Sequence, residues 1–278
     1  MPSPIRECVH GTAVQRFAAS GGKDPIRWRF EQSGVVVAFS GRDGGVSDSP
    51  FATANISGRV GDAAAAVRAN RELLVDRLDI TECRLVTVRQ QHGADVIRVG
   101  NGTEGASADG MVTADAGVGL VIGVADCAPV VYVDVERRVI GALHVGWRGL
   151  AGGIVEAGVV AMRTLGADES TLQAIVGPCI CSGCYPVAEE VRSFVARHYP
   201  AAAAVDRTGR PAVGLRAGID QALAATQVRA VTHVHECTAE SAAYFSARRD
   251  GRTGCQAAIV AIRDRSVVDS PNGQLGVA

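Results

Sequence analysis

Residues 118–135 form the longest apolar run of the chain, yet the run contains Asp126, Asp134, Gly119 and Gly123. A carboxylate in hydrocarbon is costly, so the run is not a membrane span. It reads as two buried strands separated near Pro129. Similar short, β-branched runs, each bounded by Gly, Asn, Asp or Pro, predict strands at 84–89, 95–99, 119–125, 130–135 and 139–145. Val35 to Phe39 leads into the glycine-rich turn Gly41-Arg42-Asp43-Gly44-Gly45, and a last strand is predicted at 256–262. Helices are expected from an Asp62 N-cap to about Leu78, with Val67, Leu74 and Leu78 on one face, and at 150–165, 186–197 and 215–225. Strand clusters with interspersed helices fit a mixed α/β fold, with mixed sheets packed by helices, better than strict βαβ alternation. The expected organisation is a variable lead-in over residues 1–33 and a single catalytic domain over 34–278, a length that one core can serve.

Composition narrows the partners. A net charge of −1 lacks the excess of Lys and Arg that phosphate-backbone binding needs, so nucleic acid is not an expected partner, and neither is a membrane. The first thirty residues mix Arg6, Glu7, His10, Lys23 and Asp24 with apolar residues and lack the apolar core of a signal peptide, so a cytoplasmic protein is expected. In that compartment eight cysteines read as thiols or metal ligands and not as disulfides.

Three metal-capable side chains stand at the ends of predicted strands, in Gln90-Gln91-His92-Gly93, Ala125-Asp126-Cys127 and His144-Val145-Gly146-Trp147-Arg148-Gly149. Two imidazoles and a thiolate leave a fourth tetrahedral position open, which is the pattern of a catalytic zinc. The residues lie 35 and 17 positions apart and no compact motif joins them. Taken singly, Cys127 also reads as a small core residue and His92 as a turn residue.

Further segments join these three. Phe39 to Ser47, Gly61-Asp62 with Asn70-Arg71, and Ala108-Asp109-Gly110-Met111-Val112-Thr113 precede or interleave them. Gly177-Pro178-Cys179-Ile180, Cys184-Tyr185, Cys237-Thr238 and Tyr244 to Asp250 follow. In this order the segments resemble the polyphenol oxidase or laccase-domain family, whose members are described as purine nucleoside phosphorylases, some with a peptidoglycan-editing label. The likeness spans about Val35 to Ile262. It implies a layered α/β/β/α fold and metal ligands at His92, Cys127 and His144. It also implies phosphorolysis of adenosine, inosine and methylthioadenosine, accompanied by adenosine deamination.

Deamination needs a metal-activated water, whereas phosphorolysis needs a cationic cradle for phosphate beside the ribose. Arg42 and Arg148 are the arginines placed for that cradle; the alternative for Arg42 is a solvated turn arginine, and a helix-start ion pair accounts for Arg148 equally well. Asp126 could orient a ligand histidine through its second ring nitrogen, or cap the turn. Asn55 could contact substrate, and Asn55 and Asn70 could equally serve as turn or cap residues. Zinc is the expected ion, and copper can compete for the same donors in vitro. Six histidines are too few for multicopper chemistry.

Cys179-Ile180-Cys181-Ser182-Gly183-Cys184 resembles half of a zinc ribbon that His233, His235 and Cys237 could complete. Only one knuckle is visible and the family commonly has Gly in place of Cys181, so this cluster is expected to bind no metal. Two other functions use the first set of residues: a cysteine hydrolase with Cys127 as nucleophile and His144 as base, and a non-enzymatic metal-bound scaffold in cell-wall precursor editing. Oligomeric state is not legible.

Overall fold

A computed structural model describes residues 24–100, 103–228 and 230–264, so the expectations placed on residues 1–23 and on the tail after 264 lie outside it. The first strands are β1 (Ile26–Gln32), β2 (Val35–Ser40), β3 (Arg84–Val86), β4 (Val96–Arg98), β5 (Gly110–Thr113) and β6 (Val118–Val124). They are followed by β7 (Ala128–Asp134), β8 (Val139–Val145), β9 (Gln173–Val176), β10 (Ala203–Val205), β11 (Pro211–Val213), β12 (Ala230–His233) and β13 (Gln256–Ile262). The helices are α1 (Ala64–Leu78), α2 (Trp147–Ala151), α3 (Ile154–Thr164), α4 (Glu189–His198), α5 (Leu215–Ala224) and α6 (Ala247–Asp250).

Two mixed sheets carry the fold, one ordered β1-β2-β13-β6-β3 and the other β12-β9-β7-β8-β5-β4, with β10-β11 as a small ribbon. The period of two along each strand sorts its side chains into layers. Val35, Val37 and Phe39 of β2, with Leu120 and Ile122 of β6, share one core with Met111, Val131, Val133 and Ile140 of the second sheet. The sheets therefore pack face to face. The alternate residues Val36, Ala38, Val121 and Ile259 turn outward onto Leu74 and Leu78 of α1. On the other outer face Val130, Tyr132 and Leu143 meet Ile154, Val159 and Met162 of α3 and Ile219 of α5. The result is a single domain of four layers, α/β/β/α. Among the described residues no helix is long and apolar enough to cross a membrane.

Four expectations need correction. The sheet begins within the segment read as lead-in, because Ile26, Trp28 and Phe30 are buried and pair along β2 while Arg27, Arg29 and Glu31 intervene. The helix expected over 150–165 is two helices, broken where Gly153 adopts φ 80°. Asp62 does not cap α1, whose N-cap is Ala63 with no side-chain bond. Its carboxylate instead accepts hydrogen bonds from Ser47 Oγ at 2.6 Å and Asn55 Nδ2 at 2.8 Å. Finally, β5, β9, β10, β11 and β12 were not foreseen; each is three or four residues long, too short to show a period.

Candidate metal centre and its cleft

His144 lies near the end of β8, opposite Pro129 of β7, and is buried. Cys127 occupies the tight connection between β6 and β7, just after Asp126 at φ 95°. His92 sits at φ 60° in the connection between β3 and β4. These three segments end at one edge of the sandwich, and one donor atom from each residue lies within 4.8 Å of the other two. The imidazoles of His92 and His144 stand edge to face, with centroids 4.6 Å apart. Gly146 leaves room for the cluster: a Cβ there would come within 3.1 Å of Cys127 Sγ and 3.2 Å of His92 Cδ2.

Asp109, immediately before β5, organises the centre, and the sequence reading did not assign it this role. It faces His144 across the β5–β8 pairing, where His144 N–H donates to the Asp109 carbonyl at 2.7 Å. Its buried carboxylate receives His144 Nδ1 at 2.8 Å. It also accepts the main-chain N–H groups of Gln91, His92 and Gly93 at 3.0, 2.9 and 2.7 Å. Three successive N–H groups around one anion form a nest. The His144 bond places the ring proton on Nδ1 and leaves Nε2 as the free donor atom, which is how metal-binding histidines are held. Burial alone would raise the Asp109 carboxyl, but the His144 bond and the Gly93 and Gln91 N–H groups hold it below the usual carboxylate range.

The centre favours a thiolate. Burial pushes the Cys127 thiol up, but hydrogen bonds from His144 and His92 and their charge outweigh it, bringing the thiol down to about 6. Burial pushes His144 down, and its bonds to Asp109 and Cys127 lift it to about 9. A nitrogen–nitrogen–sulfur set with one histidine tautomer fixed and the thiol readily ionised fits zinc.

The other expected residues fall elsewhere. Asp126 forms no hydrogen bond to His92 or His144; its oxygens accept from Thr238 Oγ1 at 2.6 Å and from the Arg248 N–H at 2.7 Å, so it anchors loops beside Cys127. Arg42 bonds the Ala52 carbonyl at 3.2 Å and Asp250 at 3.2 Å and lies over the Phe245 ring, outside the lining of the cleft. Arg148 is exposed and stacks on Trp147, 4.3 Å from the ring centroid. Asn55 is buried, with its amide bonded to Ser57, Asp62 and the Cys255 N–H, and supports the cleft wall from behind.

A cleft of about 660 Å³ opens onto His92, Cys127 and His144, and its wall carries Arg59 and Arg252. Arg59 bonds the Gln90 carbonyl at 2.7 Å, and Arg252 lies over the Phe51 ring at 5.1 Å. Thr253 lines the same space, with a buried hydroxyl that has no hydrogen-bond partner among the described residues. The sequence offered no signal for Arg59 or Arg252, since neither stands in a segment that carried the resemblance.

The family model described as multi-copper polyphenol oxidoreductase laccase matches residues 36–263. A purine nucleoside phosphorylase of Streptomyces coelicolor is 41% identical over 225 residues, covering 80% of this chain and 93% of that protein. One from Corynebacterium glutamicum is 34% identical, over 81% of this chain and 94% of its own length. Among solved structures, YlmD from Geobacillus stearothermophilus superposes with TM-score 0.75 at 32% identity, over 83% of this chain and 93% of that one. The Bacillus licheniformis protein YfiH gives 0.79 at 27% identity, over 86% and 97%. With this fold, and with the family model matched along most of its length, the chain belongs to the multi-copper polyphenol oxidoreductase laccase family.

Proposed function

We propose that this chain is a zinc-dependent purine nucleoside phosphorylase for adenosine, inosine and methylthioadenosine, with adenosine deamination as a second activity at the same centre. The observation that carries the reading is one cleft that joins a His92–Cys127–His144 donor set to two arginines, Arg59 and Arg252. The names of the Streptomyces and Corynebacterium relatives support the reaction class.

His144 Nε2, Cys127 Sγ and a His92 ring nitrogen would hold the ion, which supplies Lewis acidity toward an oxygen in the open position. Asp109 keeps His144 in the binding tautomer and shapes the turn that carries His92. In phosphorolysis a phosphate oxygen bonds to ribose C1′ while the C1′–N9 bond breaks and its electron pair leaves with the purine. Arg59 and Arg252 are the groups on the cleft wall suited to hold that phosphate, as guanidinium pairs bind it through several N–H bonds. Deamination of adenosine needs water and no phosphate.

The test is chromatography of adenosine, inosine, adenine and hypoxanthine with and without phosphate. Arg59→Ala and Arg252→Ala are expected to raise the KM for phosphate by about tenfold or more, the effect of losing a charge-assisted bond, while adenosine still yields inosine. Arg42→Ala is expected to change phosphate KM less, because its partners are Ala52, Asp250 and Phe245. A larger effect from Arg42→Ala than from Arg252→Ala would return the phosphate site to the glycine turn.

One observation favours a second reading. A lowered Cys127 thiol, a raised His144 and Asp109 behind it form a nucleophile, base and orienting carboxylate, the arrangement of a cysteine hydrolase. Metal content separates the two: full activity in protein stripped of zinc would favour the hydrolase.

A further inference from the structure

A second group of metal-capable side chains meets outside the cleft. Cys181, Cys184, Cys237 and Glu240 each bring a donor atom within 4.8 Å of the others. They come from two turns of equal spacing, Cys181-Ser182-Gly183-Cys184 and Cys237-Thr238-Ala239-Glu240. Each turn closes in the same way. Cys184 N–H donates to the Cys181 carbonyl at 3.0 Å, and Glu240 N–H to the Cys237 carbonyl at 3.3 Å. The sequence showed one knuckle because the other ends in a carboxylate.

The turns are laid side by side by a parallel bridge between Cys179 and Cys237. The Cys181 N–H points at Cys237 Sγ, 3.2 Å away. Glu240 Oε1 lies 3.8 Å from Cys181 Sγ and 3.5 Å from Cys184 Sγ. Zinc–sulfur bonds of about 2.3 Å would set tetrahedral sulfurs roughly 3.8 Å apart, so the donors need only a small contraction. His233 and His235, considered with this cluster in the sequence, are not in it.

We propose that Cys181, Cys184, Cys237 and Glu240 form a second zinc site, structural in role. Three thiolates and one carboxylate close a tetrahedral set, and thiolate donors select against magnesium, calcium and manganese. Binding releases the thiol protons, and the cationic Arg207, which pairs with Glu240 and reaches Cys184 Sγ at 3.7 Å, offsets part of the negative charge of the four donors. The ion ties the 181–184 turn to the 237–240 turn. Asp126 is held beside both turns, by Ile180 N–H, just before the first, on its carbonyl at 2.9 Å and by Thr238 Oγ1 of the second on its carboxylate at 2.6 Å. The second ion thereby braces the chain next to Cys127, and its existence does not depend on what the first centre catalyses.

The experiment is elemental analysis of the full chain, purified under reducing conditions with zinc, and cobalt substitution of the same proteins. Wild type is expected to hold two zinc ions per chain. Cys127→Ala is expected to hold one and to keep strong thiolate-to-cobalt absorption. Cys184→Ser is expected to hold one, lose most of that absorption and melt at a lower temperature. Glu240→Ala changes an exposed residue outside the core, so folding is retained, and the cobalt spectrum should shift as an oxygen donor is lost. A single zinc in wild type that is lost in Cys127→Ala, an unchanged zinc count in Cys184→Ser, or an unshifted cobalt spectrum in Glu240→Ala would each overturn the site. Peptide mapping that finds a Cys181–Cys184 disulfide in the reduced preparation would overturn it as well.

Discussion

Asp109 receives three successive main-chain N–H groups and one histidine nitrogen through two oxygens, so a single carboxylate fixes both the His92 turn and the His144 ring. Asparagine could keep one acceptor oxygen, but its NH₂ group would face N–H groups. Asp109→Asn is therefore expected to weaken zinc binding about 10–100-fold, the usual effect of losing a partner behind a ligand. Competition against a chromogenic chelator measures this, and unchanged affinity would remove Asp109 from the centre. Titration of Cys127 sets a pH dependence of definite sign. Its thiol is brought from 9.0 to about 6, so the stability gained by ionisation is complete above about 9 and is lost as pH falls through about 6. His144, raised from 6.5 to about 9, contributes fully below 6.5 and loses its contribution as pH rises through about 9. Metal-free protein should thus keep its thiolate–imidazolium pair between those limits. Zinc competes with the proton for the thiolate, so it should leave as acid is added, at a pH below the value of about 6 of the metal-free thiol; a zinc-responsive dye that registers no release at any acid pH before unfolding would contradict this. The sequence exposed the three donor residues because each stood at the end of a predicted strand. Asp126 was chosen over Asp109 because it is the neighbour of Cys127 in sequence, whereas the bond to His144 depends on the pairing of β5 with β8.

Among the elements, long strands were readable and short ones were not. β8 runs over Val139–Val145, as its β-branched run indicates, and β13 over Gln256–Ile262. β5 and β9 have four residues each, almost all buried, so they show no alternation. β1 did alternate, but its position beside the polar N-terminal segment disguised it. The α2–α3 break illustrates a local backbone effect: Gly153 at φ 80° turns the chain so that α3 can lie on β8, and an alanine there would hold a left-handed conformation. Gly153→Ala is expected to cost about 1–2 kcal/mol. Urea denaturation gives the value, and a stabilised variant would show that the backbone relaxes to a right-handed turn.

At the scale of the whole molecule, the layered fold converts three distant positions into one centre. The three donor residues are 35 and 17 residues apart in the chain, and they converge because the His92 turn, the β6–β7 connection and the end of β8 lie at one edge of the two packed sheets. Sequence pattern alone could list His92, Cys127 and His144 but not their meeting, which the family segments implied. The arginines of the cleft were illegible for the same reason, since Arg59 and Arg252 are separated by most of the chain and meet the centre only through tertiary packing. The central claim is that this centre releases purine from nucleosides by phosphate attack. It is tested most directly by free-purine formation from inosine, with and without phosphate, in wild type and Cys127→Ser. The account predicts hypoxanthine and ribose 1-phosphate only from wild type with phosphate. Undiminished hypoxanthine release by Cys127→Ser, or release by wild type that ignores phosphate, would contradict it.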